Sequence, residues 1–310
     1  MKLGISVANF SWPVSASELG AMISRLARQA DEAGFDSLWV MDHFFQIRLT
    51  GLPPESPMPE AYATLGVLAG RTERIRLGTL VTSVAYRHPG VLVKTLTTLD
   101  VLSGGRMYFG VGAGAPFNVP PAGPGTAWEA EGLGIPFPSL SERFEMLEEV
   151  LQIANQMWAG DESPYKGRHY QLARPLNSPN SVQRPRVPIL VAGGGERKTL
   201  RLVARYADAC HLLDMPGSEY ASDLRHKLDV LREHCAAAGR DYAEIEKTVG
   251  GVYDRADQAT GFVGLLAHLR DLADLGVGHV MLSHQGPWTE SSLAALAAIL
   301  PEVHAIPVAR

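Results

Sequence analysis

Short apolar runs alternate with stretches of helical periodicity along the whole chain. Leu3 to Val7 reads as a first strand, and Ser15-Ala16-Ser17-Glu18 as a capping box opening a helix. In that helix Leu19, Met22, Ile23, Leu26 and Ala30 recur at helical spacing, and Gly34 is placed to end it. Ser37 to Met41 predicts a second strand, Glu60 to Arg71 a second helix, Ile75 to Val81 a third strand, Gly90 to Leu102 a third helix, and Met107 to Gly112 a fourth strand.

The rhythm breaks twice. Ala113 to Leu140 is rich in Gly and Pro, a length expected of a functional loop and here of a mobile lid carrying Trp128. A second capping box, Ser139-Leu140-Ser141-Glu142, opens a helix through Phe144, Leu147, Leu151, Ala154 and Trp158. Gly160 to Val187 is the second excursion, with a hairpin predicted at Tyr165 to Tyr170. Alternation then resumes with strands at Pro188–Ala192, Ala207–Leu213, Glu244–Val252 and Val277–Ser283. The helices between and after them are predicted at Glu196–Tyr206, Ser218–Ala238, Ala259–Leu275 and Thr289–Leu300.

Eight strand–helix units predict an α/β fold, a (β/α)8 TIM barrel forming a single domain over 1–310, with insertions after strand 4 and between helix 4 and strand 5. An open doubly wound sheet is the competing architecture; no linker divides the chain, which favours the barrel. In a barrel every strand's C-terminal end faces one mouth, gathering Asn9, Asp42-His43, Thr79 to Ser83, Gly112 to Gly114, Gly193 to Gly195, Asp214 and His284 there.

Composition narrows the function. A net charge of -5 without a basic block argues against nucleic acid as a partner. Cys210 and Cys235 form no disulfide framework or metal-ligand spacing, and Met1 runs straight into strand-like sequence, so a cytoplasmic protein is expected. No apolar run approaches membrane-spanning length, and the ten histidines show no metal-binding pairing, so neither membrane nor metal is expected.

Three places carry candidate chemistry. The apolar run Leu38 to Met41 ends in Asp42-His43, a carboxylate and an imidazole where a parallel barrel builds its site. On the dipeptide alone, capping of the next loop stays open as an alternative. Gly110-Val111-Gly112-Ala113-Gly114 permits close approach to the backbone but lacks the order of a dinucleotide fingerprint. Ala192-Gly193-Gly194-Gly195-Glu196-Arg197 precedes a helix, and its N–H groups, the helix dipole and Arg197 suit a phosphate, with a flexible strand-to-helix turn as the alternative. A glycine-lined mouth with few proton-transfer groups suggests a bound organic cofactor.

The stretches Glu32 to Phe44, Arg71 to Thr79, Arg87-His88-Pro89, Leu99 to Arg106 and Gly193 to Arg197 together resemble the luciferase-like flavin and deazaflavin oxidoreductases. The Asp-His-Phe ending of the second strand is most similar to the branch that uses the 5-deazaflavin coenzyme F420.

The resemblance implies roles. His43 and Asp42 would lie beside the deazaflavin ring as catalytic residues. Leu80-Val81 would form a non-prolyl cis peptide behind it, flanked by Thr79 and Thr82. Gly112, Ala113 and Gly114 would admit the ring, and Ala192 to Gly195 with Arg197 the phosphate. Trp12, Phe44 and Trp128, with Phe45 and Phe117, would line an apolar substrate pocket. The reaction implied is hydride transfer between F420 and a small organic substrate. FMN is the alternative cofactor, with a reduced-flavin monooxygenase served by a flavin reductase, or a non-catalytic flavin-binding member, as the alternative functions. A homodimer is the expected assembly. Some relatives carry a proton-donating glutamate after the fourth-strand glycines, where this chain has Ala113-Gly114-Ala115-Pro116. Sugar-phosphate oxidation is therefore not expected, and proton transfer falls to His43, Asp42, the substrate, or an insertion residue such as Glu129 or Glu131.

Overall fold

In a computed structural model of the chain, residues 1–47, 50–114, 126–214, 223–253, 260–284 and 286–309 are described, without the side chains of Thr126 and Tyr253. The strands are β1 (Lys2–Val7), β2 (Ser37–Val40), β3 (Arg76–Thr79), β4 (Thr82–Ser83), β5 (Phe109–Gly112), a hairpin of β6 (Tyr165–Lys166) and β7 (Gln171–Leu172), β8 (Ile189–Ala192), β9 (Ala209–Leu213), β10 (Glu246–Tyr253) and β11 (His279–His284). All but the hairpin form one parallel sheet in the order β3-β2-β1-β11-β10-β9-β8-β5-β4. Its two ends are halves of one strand, and Leu77 bridges in parallel to Met107, so the sheet curls into the predicted (β/α)8 barrel.

The helices are α1 (Leu19–Ala33), α2 (Ala61–Ala69), α3 (Pro89–Leu102), α4 (Thr126–Gly132), α5 (Leu140–Ala159), α6 (Thr199–Tyr206), α7 (Leu224–Ala238), α8 (Val263–Asp274), α9 (Glu290–Ala297) and α10 (Leu300–His304). Among the described residues none is long and apolar enough to cross a membrane.

Several boundaries differ from the sequence reading for local reasons. The third strand breaks after Thr79 because the Leu80–Val81 peptide is cis, as the resemblance implies. The Ser15–Glu18 box closes a turn of its own, and α1 begins after it with Glu18 at the N-cap. The α5 box, by contrast, is complete, with Ser139 and Glu142 capping each other's backbone. The stretch 113–140, read as loop, contains α4, and the closing helix is broken into α9 and α10. The seventh strand is the eight-residue β10.

Alternation sorts each strand into two faces. Outward side chains such as Leu38, Val40, Leu77, Phe109 and Val111 join the helices in the main core. Inward ones, Trp39, Tyr108, Leu190, Ala209 and Met281, fill the barrel's waist. Gly78 makes room there, since a Cβ would lie 2.6 Å from the Trp39 ring.

Two of the family-like stretches hold the barrel's lower end. Arg106, 9% exposed, donates to the carbonyls of Ser103, Ile75, Ala69 and Thr72. Asp31 accepts the N–H groups of Glu73, Arg74 and Ile75, tying α1 to the start of β3. Burial opposes the Asp31 charge, but these three donors hold its carboxyl below the usual range.

Candidate active site

The two residues that end the second strand do different work. The Asp42 side chain is fully buried and held bidentately by Arg87, at 2.5 Å from Nη1 and 2.9 Å from Nη2. Arg87 also reaches Glu60, whose other oxygen caps α2 through Ala63 N–H, and it lies over the rings of Tyr62 and Phe44. Burial opposes the Arg87 charge, yet Asp42 more than offsets it and raises the guanidinium pKa. The doubly held carboxylate ties the end of the second strand to Arg87.

His43 keeps 17% of its side chain exposed, and its Nδ1 hydrogen-bonds to Glu129 Oε1. Glu129 is on α4, in the first insertion, and is 1% exposed. Its Oε1 also accepts from Tyr86 Oη at 2.6 Å, and its Oε2 from the N–H groups of Phe44 at 2.6 Å and Phe45 at 3.2 Å. Burial pushes the Glu129 pKa up, but His43 and these donors outweigh it and hold the group below the usual carboxylate range. An ionised Glu129 accepts the Nδ1–H, and that hydrogen bond fixes the orientation of the ring. Of the two insertion acids considered from sequence, the fold brings Glu129 to His43.

Behind the cis peptide Thr79 Oγ1 donates to Gly110 O at 3.0 Å and meets Thr82 Oγ1 at 3.0 Å, which meets Tyr62 Oη at 2.6 Å. These hydroxyls are buried supports. Gly112 is needed at the mouth, since a Cβ there would sit 3.2 Å from Val81 and 3.5 Å from Ala192 O.

The glycine turn after β8 is less uniform than the sequence suggests. Gly193 has φ +123° and donates its N–H to His211 O at 3.0 Å, so that N–H serves the sheet. A Cβ on Gly195 would lie 2.8 Å from Thr199 Oγ1, whereas one on Gly194 would meet nothing nearer than Lys227 Cε at 3.7 Å. The helix expected from Glu196 begins at Thr199. Arg197 is exposed, and Glu196 pairs with Lys227 and His226.

Arg143, which the sequence reading passed over, lies on the buried stripe of α5 and is 3% exposed. Its Nη1 donates to Gly114 O at 3.1 Å, its guanidinium lies 4.0 Å over Phe137, and its buried Nε has no partner. It forms no ion pair among the described residues, and burial lowers its pKa. Its signal was a basic residue four positions before Leu147 on the apolar face. Lys198 Nζ reaches Ser141 Oγ at 3.3 Å, so the starts of α5 and α6 are neighbours.

The aromatic candidates are distributed around the mouth. Trp12 Nε1 donates to Trp288 O at 2.6 Å, Phe44 packs on Tyr86, and the half-exposed Trp128 meets Phe45 edge-on at 5.3 Å. Phe117 and most of the first insertion's opening, 115–125, lie outside the described residues.

A family description, luciferase-like monooxygenase, matches residues 1–259. The chain belongs to that family. An F420-dependent glucose-6-phosphate dehydrogenase of Kineococcus radiotolerans is 30% identical over 230 residues, 73% of this luciferase-like chain and 62% of that protein. The chain thus spans about three fifths of the length of the curated relatives it matches. Among solved structures, an F420-dependent secondary alcohol dehydrogenase with an F420-acetone adduct superposes with TM-score 0.75 at 19% identity, covering 97% of this chain and 98% of that one. A monooxygenase of Streptomyces bottropensis superposes with TM-score 0.73 at 22% identity, covering 98% and 100%. At those identities the likeness is one of fold.

No group of three or more potential metal ligands occurs among the described residues.

Proposed function

We propose that the chain is an oxidoreductase that transfers hydride between coenzyme F420 and a small organic substrate. The observation that carries this reading is the His43–Glu129 pair, an oriented imidazole set in the same barrel mouth as an anion-seeking glycine turn. The F420-dependent relatives support it. A deazaflavin with a phosphorylated side chain fits the residues present. Gly194 has open space around it, with nothing nearer to a Cβ than Lys227 Cε at 3.7 Å, and the buried Arg143 Nε lacks an acceptor that a phosphate oxygen would supply.

The bound deazaflavin would supply a ring carbon that takes up or gives hydride. The chain's own residues orient and neutralise. Gly194 and Gly195 N–H groups, with Arg143 and Arg197, would hold the phosphate. Leu80-Val81, backed by Thr79 and Thr82, would support the ring. His43 Nε2 takes the hydroxyl proton during oxidation and returns it during reduction, while Glu129 stabilises the imidazolium.

Separate titrations of the purified protein with F420 and with FMN test the reading. Tight F420 binding with weak FMN binding is expected. The reverse preference would make the protein an FMN-dependent monooxygenase drawing on a flavin reductase.

A further inference from the structure

The inner rim of the mouth has two unlike halves. Towards β5 and β8 it is built of Gly112 and Ala192, close to the glycine turn and the basic residues Arg143, Arg197 and Lys198. Towards β9 and β10 the last inward positions are Leu213 and Val252. Their inward parity follows from the layer beneath. His211, two before Leu213, hydrogen-bonds Thr248 Oγ1 at 2.9 Å, and a Cβ on Gly250, two before Val252, would lie 2.9 Å from His211 Nε2. His211 and Thr248 are buried, but Leu213 is 43% and Val252 47% exposed. Two adjacent strands thus end in open aliphatic side chains facing the mouth. The basic residues Arg143, Arg197 and Lys198 lie with the first half of the rim, where a phosphorylated cofactor would take them up.

We infer that the substrate is an uncharged alcohol or carbonyl compound whose hydrocarbon body rests on Leu213 and Val252, and that sugar phosphates are excluded. This rests on the oxidoreductase reading above. A second phosphate would meet aliphatic surface, with its desolvation uncompensated. In the oxidative direction the carbinol carbon loses its hydrogen with the bonding pair to oxidised deazaflavin, and the hydroxyl proton goes to His43 Nε2. The C–O bond becomes C=O, and the two electrons lost by the substrate reduce the cofactor.

The test is an equilibrium titration of the F420-loaded protein with a homologous series of aliphatic methyl ketones, read by quenching of tryptophan fluorescence. Each added methylene is expected to tighten binding about threefold until the surface is covered. Leu213→Ser/Val252→Ser should flatten that dependence while melting temperature and F420 affinity stay unchanged, and Leu213→Val/Val252→Ile should restore it. Glucose 6-phosphate should give no saturable change. A flat series in the native protein, or glucose 6-phosphate binding more tightly than the ketones, would overturn the inference. The ketones are also titrated without cofactor. Chain-length dependence in a protein that binds no deazaflavin would keep the apolar subsite and reject the oxidoreductase reading.

Discussion

Glu129 accepts a hydrogen bond from His43 Nδ1 across 86 positions of sequence. The short helix α4 makes the contact, and Tyr86 together with the backbone of Phe44 and Phe45 fills the remaining acceptor positions of the carboxylate. The imidazole is thereby held in one orientation.

Glu129→Gln should lower kcat by about 10²-fold while changing F420 affinity less than twofold, because the lost charge acts on the imidazolium of the transition state. Glu129→Asp should recover part of the rate. His43→Ala should slow single-turnover hydride transfer at least as much, and the double variant little more than His43→Ala. Stopped-flow reduction of bound F420 measures all four proteins. A loss confined to KM, or to cofactor affinity, would remove the pair from the chemistry.

Gly194→Val probes the phosphate cradle without threatening the fold, since the new Cβ meets nothing within 3.7 Å and Gly194 does not have positive φ. Affinity for F420 should fall more than tenfold, and affinity for a deazaflavin analogue lacking the phosphate should hardly change. Isothermal titration with both ligands decides it. Equal losses would indicate a damaged fold, and unchanged F420 affinity would place the phosphate elsewhere.

Arg143→Met should separate binding from stability. The guanidinium is buried without a carboxylate partner among the described residues, so an apolar side chain of similar length relieves a desolvated charge. The apo variant should melt no lower than the native protein, while F420 binds at least tenfold more weakly. Thermal melts with and without cofactor show both effects, and a lower apo melting temperature with unchanged affinity would make Arg143 purely structural.

The fold should weaken in acid through His211. Burial, with a smaller contribution from the neighbouring His279, pushes its pKa down to about 3. The unfolded chain, with an ordinary imidazole near 6.5, takes up the proton first as pH falls. Stability is therefore complete above about pH 6.5 and declines towards pH 3, by roughly 3 kcal/mol at pH 4.5 from this group alone. Urea unfolding at pH 7.5 and 4.5 should show a smaller loss for His211→Asn than for the native protein. Equal losses would assign acid sensitivity to other groups.

The elements of the barrel were readable because each depends on a local property of the chain. Leu3 to Val7 or Ile189 to Val191 declares a buried parallel strand by its own apolar run, and the Ser139–Glu142 box names the start of α5 within four residues. His43 stood out in the same way, as an ionisable residue closing an apolar run. Where local signals competed, as at Ser15–Glu18, a turn won and the helix started later.

The sequence by itself determined eight strand–helix units, the mouth at their C-terminal ends, and the glycines at β5 and β8, because periodicity and steric permissiveness belong to neighbouring residues. Only the tertiary structure decided that Asp42 is enclosed by Arg87, that Glu129 and not Glu131 meets His43, that Gly193 gives its N–H to the sheet, and that Arg143 has no ion pair among the described residues. Those outcomes depend on which groups barrel closure brings within a hydrogen bond of one another, and on how much water that closure removes from each charge.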